Sequence, residues 1–363
     1  MITVSLCMIV RNEEEVLGRC LDSVRDLVDE ILIADTGSTD HTRQIAEQYT
    51  RQIWDFPWID DFSAARNFIF SKAQMDFCMW LDADDLLPPK SAGLFARMKE
   101  ELTPDVDMVL LPYHTAFDSQ DRPVFTCCRE RLIRNRRNFR FQGRVHEAIP
   151  LSGNVVFRDI PVEHRKTKAP DPERNLKIYR KMLEDGAPLQ ARDLYYYGRE
   201  LLDHGAYEEG KKTLLDFLER EDAWDENRID AARQAALCCR RLGQEEDELR
   251  TLLKALSYGI PSGELCCDLG RYFMEHARYA QAVYWFGQAL QAEKRTASGA
   301  FIQEECYGFY PAISLCICYD RLGDHGKAYA CNELAGSFQP ESPHYLHNKA
   351  YLEPLLNDSV RTS

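Results

Sequence analysis

Two carboxylates one residue apart, Asp82 and Asp84, follow the apolar run Phe77 to Leu81 in the stretch FCMWLDADD. Residues two apart in a strand project from one face, so the pair would point together from a strand's end. Bare carboxylates so placed repel each other. A divalent cation held by oxygen ligands, and by substrate phosphates as well, removes the conflict. The stretch therefore reads as a metal-assisted nucleotide site at the C-terminal end of a buried strand. On its own it reads at least as well as a solvated acidic turn before Pro88 and Pro89, so the elements around it must decide.

Those elements alternate. Thr3 to Val10 is a buried-strand run, followed by Arg11, Asn12, three glutamates and a helix carrying Val16, Leu17, Cys20, Leu21 and Val24. Glu30 to Asp35 is a second strand. It runs into TGSTD, Thr36 to Asp40, where Gly37 allows a tight turn and Ser38 or Thr39 would cap a helix through Ile45 and Tyr49. Gln52 to Trp54 is a short third strand, Ser63 to Ala73 a helix and Phe77 to Leu81 a fourth strand. This alternation argues for a mostly parallel sheet covered on both faces, which binds ligands at its strands' C-terminal ends. Three polar clusters fall at such ends: Arg11 to Glu13, Asp35, and Asp82 to Asp85. Neither a G-x-G-x-x-G fingerprint nor a P-loop is present, so a nucleotide here would be held by carboxylates and metal.

Composition bounds the rest. With 363 residues the chain can form two domains, and 45% hydrophobic with 29% charged content is that of a globular protein. The net charge of -14 argues against nucleic acid as a partner. One basic run, Arg129 to Arg144, is either solvated surface or a place for an anion or acceptor. Ile2 to Val10 is interrupted by Thr3 and Ser5 and lacks a basic n-region ahead of it, so neither a signal peptide nor a membrane span is expected, and the expected location is cytoplasmic. The thirteen cysteines are then reduced thiols used as small packing residues.

Together, Arg11-Asn12-Glu13, the turn from Asp35 to Asp40 and Asp82-Ala-Asp84 resemble the family 2 glycosyltransferases of the GT-A fold over about residues 1–165. The resemblance implies that Asp35 and Asp82 contact the uridine and ribose of a sugar nucleotide, that Asp84 binds a divalent metal, Mn or Mg, on the diphosphate, and that Glu13 lies near the nucleotide. Phe62-Ser-Ala-Ala-Arg66-Asn67 resembles a branch of the family in which Arg66 sits beside the diphosphate. Further on, Val106 to Pro112, Arg129 to Arg134, Phe139 to Phe141, Val155 to Phe157 and Ile160 to Val162 are short strands in a mixed segment where such enzymes place the acceptor. There Gly143-Arg-Val-His146-Glu147 offers a carboxylate, Glu147, as the base for inverting displacement, with His146 to orient it. Glu147 stands where the wider family has a Glu-Asp pair. His164, in Val-Glu-His, would complete the metal site and favour Mn.

Lys166 to Pro172 has a linker's composition, and residues 166–189 are expected to be linker and connecting helix. From there to residue 355 the pattern is helical. Gly198, Ala236, Gly270 and Cys316 head four copies spaced 38, 34 and 46 residues apart, with extra residues near Arg295 to Glu305. These positions resemble tetratricopeptide repeats of ~34 residues. The whole chain thus reads as an α/β GT-A domain followed by an all-α repeat domain, like bacterial peptide and protein glycosyltransferases. The donor would be a UDP-sugar and the acceptor a peptide, protein or glycan. The repeats could also pair two copies of the chain. The competing readings are a catalytically inactive nucleotide-binding scaffold and a transferase acting on an envelope polysaccharide or a lipid-linked acceptor.

Overall fold

A computed structural model describes residues 1–167, 171–295 and 301–362. Residues 1–196 form one compact unit, and the helices from Tyr197 onward belong to the other. The inserted stretch Arg295 to Glu305 and the linker Lys166 to Pro172 each fall partly outside the described residues.

In the first unit β1 (Val4–Val10), α1 (Leu17–Val24), β2 (Glu30–Asp35), α2 (Thr42–Ala46), β3 (Ile53–Asp55), α3 (Phe62–Phe70) and β4 (Phe77–Trp80) alternate as expected. β1 pairs in parallel with β2 and β4, and β2 with β3. Being covered on both faces, β1 and β4 are almost wholly buried, which is why they read as continuous apolar runs. Leu17, Cys20, Leu21 and Val24 give α1 its buried stripe. α3 starts at Phe62, just ahead of the expected Ser63, because the Asp61 carboxylate accepts from Ala64 N at 2.9 Å. Neither Ser38 nor Thr39 caps α2. Asp40 takes the Thr42 amide instead, at 2.9 Å.

Beyond β4 lie the short β5 (Asp85–Leu86), α4 (Pro89–Glu101), β6 (Met108–Phe117), β7 (Pro123–Arg134), β8 (Val155–Phe157) and β9 (Val162–His164). The sheet order is β3-β2-β1-β4-β7-β6-β9-β5, with β8 beside β6. The sheet is mixed: β7 runs antiparallel to both β4 and β6. The reason is local, since Asp118 accepts the Gln120 and Arg122 amides and folds β6 straight back into β7 with no room for a crossover. Phe139 to Phe141 is not a strand. The Asn67 amide ties up both the N–H and the C=O of Phe141, and only a single bridge, Gln142 to Ala148, forms nearby.

After α5 (Arg174–Glu184) come α6 (Ala191–Asp203), α7 (Tyr207–Leu218), α8 (Asp225–Arg241), α9 (Glu245–Ala255), α10 (Gly263–Glu275), α11 (Tyr279–Gln291), α12 (Phe309–Arg321), α13 (His325–Phe338) and α14 (Pro343–Thr362). From α6 to α13 they form four hairpins of the tetratricopeptide kind. The small residues sit where paired helices touch: a side chain added at Gly198 would meet Leu214 at 2.6 Å, and one at Gly270 the Phe286 ring at 2.8 Å. Twelve of the thirteen cysteines are buried and all are free thiols, with burial pushing Cys128, Cys238 and Cys266 up to about 12. Among the described residues no helix is long and apolar enough to cross a membrane.

Candidate active site

The first two parallel strands bring their loops side by side. Asn12, in the left-handed region at φ 55°, accepts the Thr39 amide at 2.7 Å on its side chain, and Glu13 N donates to Thr42 Oγ1 at 2.6 Å. Glu13 is thereby held at the mouth of β1. Asp35, buried at the end of β2, accepts the amides of Gly37 and Ser38 on one oxygen, at 3.0 and 2.8 Å. It lines a cavity of about 480 Å³ with Gly37, Asp55, Phe56 and Pro57.

At β4 the strand stops at Trp80 and the chain turns, Asp85 N donating to Asp82 O at 3.0 Å. Strand alternation therefore does not aim Asp82 and Asp84 together, and the turn gives each its own partners. Asp82 accepts Arg66 Nη2 at 2.6 Å, and the same guanidinium gives Nε to Glu147 at 2.5 Å. Arg66 is buried and stands between the two carboxylates, its guanidinium 4.5 Å from the centre of the Trp80 ring. Burial opposes ionisation of Asp82, but Arg66 and then Arg131 outweigh it and hold its carboxyl well below the usual carboxylate range.

Asp84 faces His164, whose Nδ1 lies 3.2 Å from Asp84 and 3.0 Å from Asp85. Antiparallel pairing of Asp85 in β5 with His164 in β9 creates this meeting of residues 79 apart in sequence. Burial alone would make the imidazole a weaker base, yet its hydrogen bonds to the two carboxylates lift it to about 9. One donor atom from each of Asp84, Asp85 and His164 falls within 4.8 Å of the others. Two carboxylate oxygens and an imidazole nitrogen suit a divalent cation of the Mn type, so the residues fit the expected metal in their donor chemistry.

Asp85 is the residue the sequence pattern left unassigned. It is fully buried, and it accepts Tyr113 Oη at 2.7 Å, the Asp82 amide at 2.9 Å and Arg131 Nη1 at 3.0 Å. It thus fixes both the turn and His164. Arg131 is fully buried against the rings of Trp80 and Tyr113, at 3.9 and 4.3 Å. A charged residue amid the apolar run of β7, CCRERLI, is the signal that could have found it. Trp80 is core: its indole N–H goes to Glu130 O at 2.5 Å, and three guanidiniums surround its ring. His146, at φ 51°, stacks on Tyr196 with ring centres 4.2 Å apart, and its carbonyl takes Arg192 Nε at 2.8 Å.

Residues 5–161, which carry these strands and the loops at their ends, match the family profile described as Glycosyl transferase family 2. Residues 5–161 belong to glycosyl transferase family 2. A TPR repeat-containing protein of Synechococcus elongatus is 41% identical over 271 residues, 72% of this chain and 58% of that protein. The SPbeta prophage-derived glycosyltransferase SunS of Bacillus subtilis is 29% identical over 247 residues, 61% of this chain and 55% of SunS. The chain thus spans somewhat over half the length of these relatives. The solved structure of Pseudomonas aeruginosa pilF is 17% identical with a TM-score of 0.39, covering 50% of this chain and 75% of that one.

Proposed function

We propose that the family 2 domain transfers a sugar from a nucleoside diphosphate donor, a UDP-sugar, to an acceptor recognised through the helical repeats, with inversion at the anomeric carbon. The observation that carries this reading is the joining of two clusters at one strand end: Asp84, Asp85 and His164 as cation ligands, and Asp82, Arg66 and Glu147 beside them. A divalent cation there, Mn or Mg, would offset the charge that builds on the leaving diphosphate. Asp35, above its cavity, and Asp82 hold the nucleoside, with Glu13 close by.

Glu147 is the proposed base, and in the state described here its carboxylate is paired with Arg66. A donor diphosphate competes for that guanidinium, so donor binding frees Glu147 to take the acceptor's proton. His146 would orient the Glu147 segment through its stack on Tyr196. The name of SunS, a glycosyltransferase, and that of the Synechococcus protein, a repeat protein, support joining the two parts in one enzyme, and a peptide or protein acceptor fits an array of paired helices.

The test is the thermal midpoint with UDP and UDP-sugars, with and without Mn, together with slow hydrolysis of the donor in the absence of acceptor. The expected result is a Mn-dependent upward shift with UDP that Asp84→Ala removes, and donor hydrolysis lost in the same variant. A folded protein giving neither shift nor hydrolysis would reduce the chain to a repeat scaffold.

A further inference from the structure

We propose that the first unit carries a second binding site, a cavity for a short anionic saccharide near the start of β4, apart from the strand end that holds Asp82. The cavity has a volume of about 730 Å³ and lies among β3, the end of α3, the start of β4 and the loop after β7. Five of its lining residues are lysine or arginine, Lys72, Arg134, Arg136, Arg137 and Arg140, and none is aspartate or glutamate. In a chain with 59 acidic residues and a net charge of -14, such segregation is not what a surface of mixed charge produces.

Among the described residues, three of these five cations, Lys72, Arg136 and Arg140, have no acidic neighbour to neutralise them. Arg134 is committed to the carbonyls of Val106 and Pro104, and Arg137 has Asp107 at 3.8 Å. Among the described residues no carboxylate lies within ion-pair distance of Lys72, Arg136 or Arg140. Arg136 reaches only the Gln74 carbonyl, at 3.3 Å, and Arg140 the Asn138 side chain, at 3.2 Å. Like charges gathered without counter-charges repel, and an anion placed among them relieves that repulsion.

The wall that presents them is built. Asn67 bonds both main-chain groups of Phe141, and the Asn135 side chain donates to the carbonyls of Ala73 and Met75 at 3.0 and 2.9 Å. Between these anchors Arg136 and Asn138 both adopt φ 60°, the left-handed region that a side chain such as arginine's rarely takes. Trp54, Phe70 and Phe139 are half-buried, packed on the core while also lining the cavity. Rings that can cover the apolar face of a sugar and guanidiniums that can grip phosphate, sulfate or carboxylate are the chemistry of an anionic saccharide site. The overall negative charge works against a long nucleic acid at the same place.

Calorimetric titration of the full chain with a heparin-derived hexasaccharide tests the proposal, alongside a ten-residue oligothymidylate and inorganic phosphate as competitors. The expected result is saccharide binding that weakens as salt rises and is at least tenfold weaker in Arg136→Glu/Arg140→Glu. Should that double variant not fold, Arg140→Gln, at an exposed side chain, is expected to weaken binding about threefold by loss of one charge contact. The proposal is overturned by no binding, by binding that these variants leave unchanged, by tighter binding of the oligonucleotide, or by complete displacement of the saccharide by phosphate at equal ionic strength. The Mn-dependent shift with UDP reads the other site, so it should be the same in wild type and variants, and either site can fail without the other.

Discussion

His164 ties its protonation to the carboxylates it faces, and this makes the site a pH-dependent one. In the metal-free fold its pKa stands at about 9, above the ordinary 6.5, because the hydrogen bonds to Asp84 and Asp85 outweigh burial. A group whose folded pKa is raised stabilises the fold fully below its unfolded value, and that stabilisation is lost as pH rises through the folded value. The difference in thermal midpoint between EDTA-treated wild type and His164→Asn should therefore be largest near pH 6 and shrink steadily toward pH 9.5. A difference independent of pH would show that the ring is not charged there. On the proposed function Mn would displace this proton, so Mn affinity should tighten with pH over the same window. Glu147 gives a second prediction. Glu147→Gln should keep the Mn-dependent UDP shift and lower turnover about 10²- to 10⁴-fold, the ordinary worth of a general base, whereas a purely structural Glu147 would lower the midpoint and leave turnover per folded molecule near wild type. The carboxylates after β4 stood out in the sequence, but a solvated acidic turn explained them at least as well, so the strands and helices around them had to decide. Asp85 and Arg131 were not assigned, since their partners, Tyr113 and His164, arrive from β6 and β9, and no local pattern reports those pairings.

Helices and strands of the chain differ in how much of themselves they announce. Each hairpin repeats the same end: Ala206 N bonds Leu201 O, Gln244 N bonds Cys239 O, Arg278 N bonds Phe273 O and Asp324 N bonds Tyr319 O. These are the six-to-one bonds of a helix closed by a left-handed residue. The left-handed residue is Gly205, Gly243 and Gly323 in three of the copies, but Ala277 at φ 55° in the copy made of α10 and α11. A Cβ in that region is strained by about 1 kcal/mol. Ala277→Gly should accordingly raise stability by up to about 1 kcal/mol, less what glycine adds to the entropy of the unfolded chain, measured by urea denaturation. A loss of stability would mean that the Ala277 methyl packs better than its backbone suffers. This regularity, with Gly198 and Gly270 at the tight crossings, is why the repeats could be read from spacing. The mixed half of the sheet was harder. The turn at Asp118 and the hold of Asn67 on Phe141 decide strand direction and strand absence there, and both are long-range or single-residue effects that apolar runs do not encode.

At the scale of the molecule, the chain joins an α/β unit and a helical one, each with its own buried core. The alternation of strands with helices and the change to a purely helical pattern carried that division in the sequence, because core-facing periodicity is set by each unit's own packing. Separate cores predict separable responses. On the proposed function, UDP with Mn would bind groups of the first unit only and should stabilise the transition in which that unit unfolds, by an amount that follows ligand concentration over its dissociation constant. Ala277→Gly alters only the repeat array and should move the other transition. Gly270→Val, which drives a side chain into the Phe286 ring, should lower that same transition by roughly 1–3 kcal/mol, the usual cost of overpacking, while leaving the UDP shift at its wild-type size. Calorimetry of five samples, wild type and the two variants alone plus wild type and Gly270→Val with UDP and Mn, reads all of this in one series. A single transition displaced by every perturbation would show that the two cores melt as one cooperative body, so that a substitution in the repeats changes donor affinity measured by melting without touching the donor site.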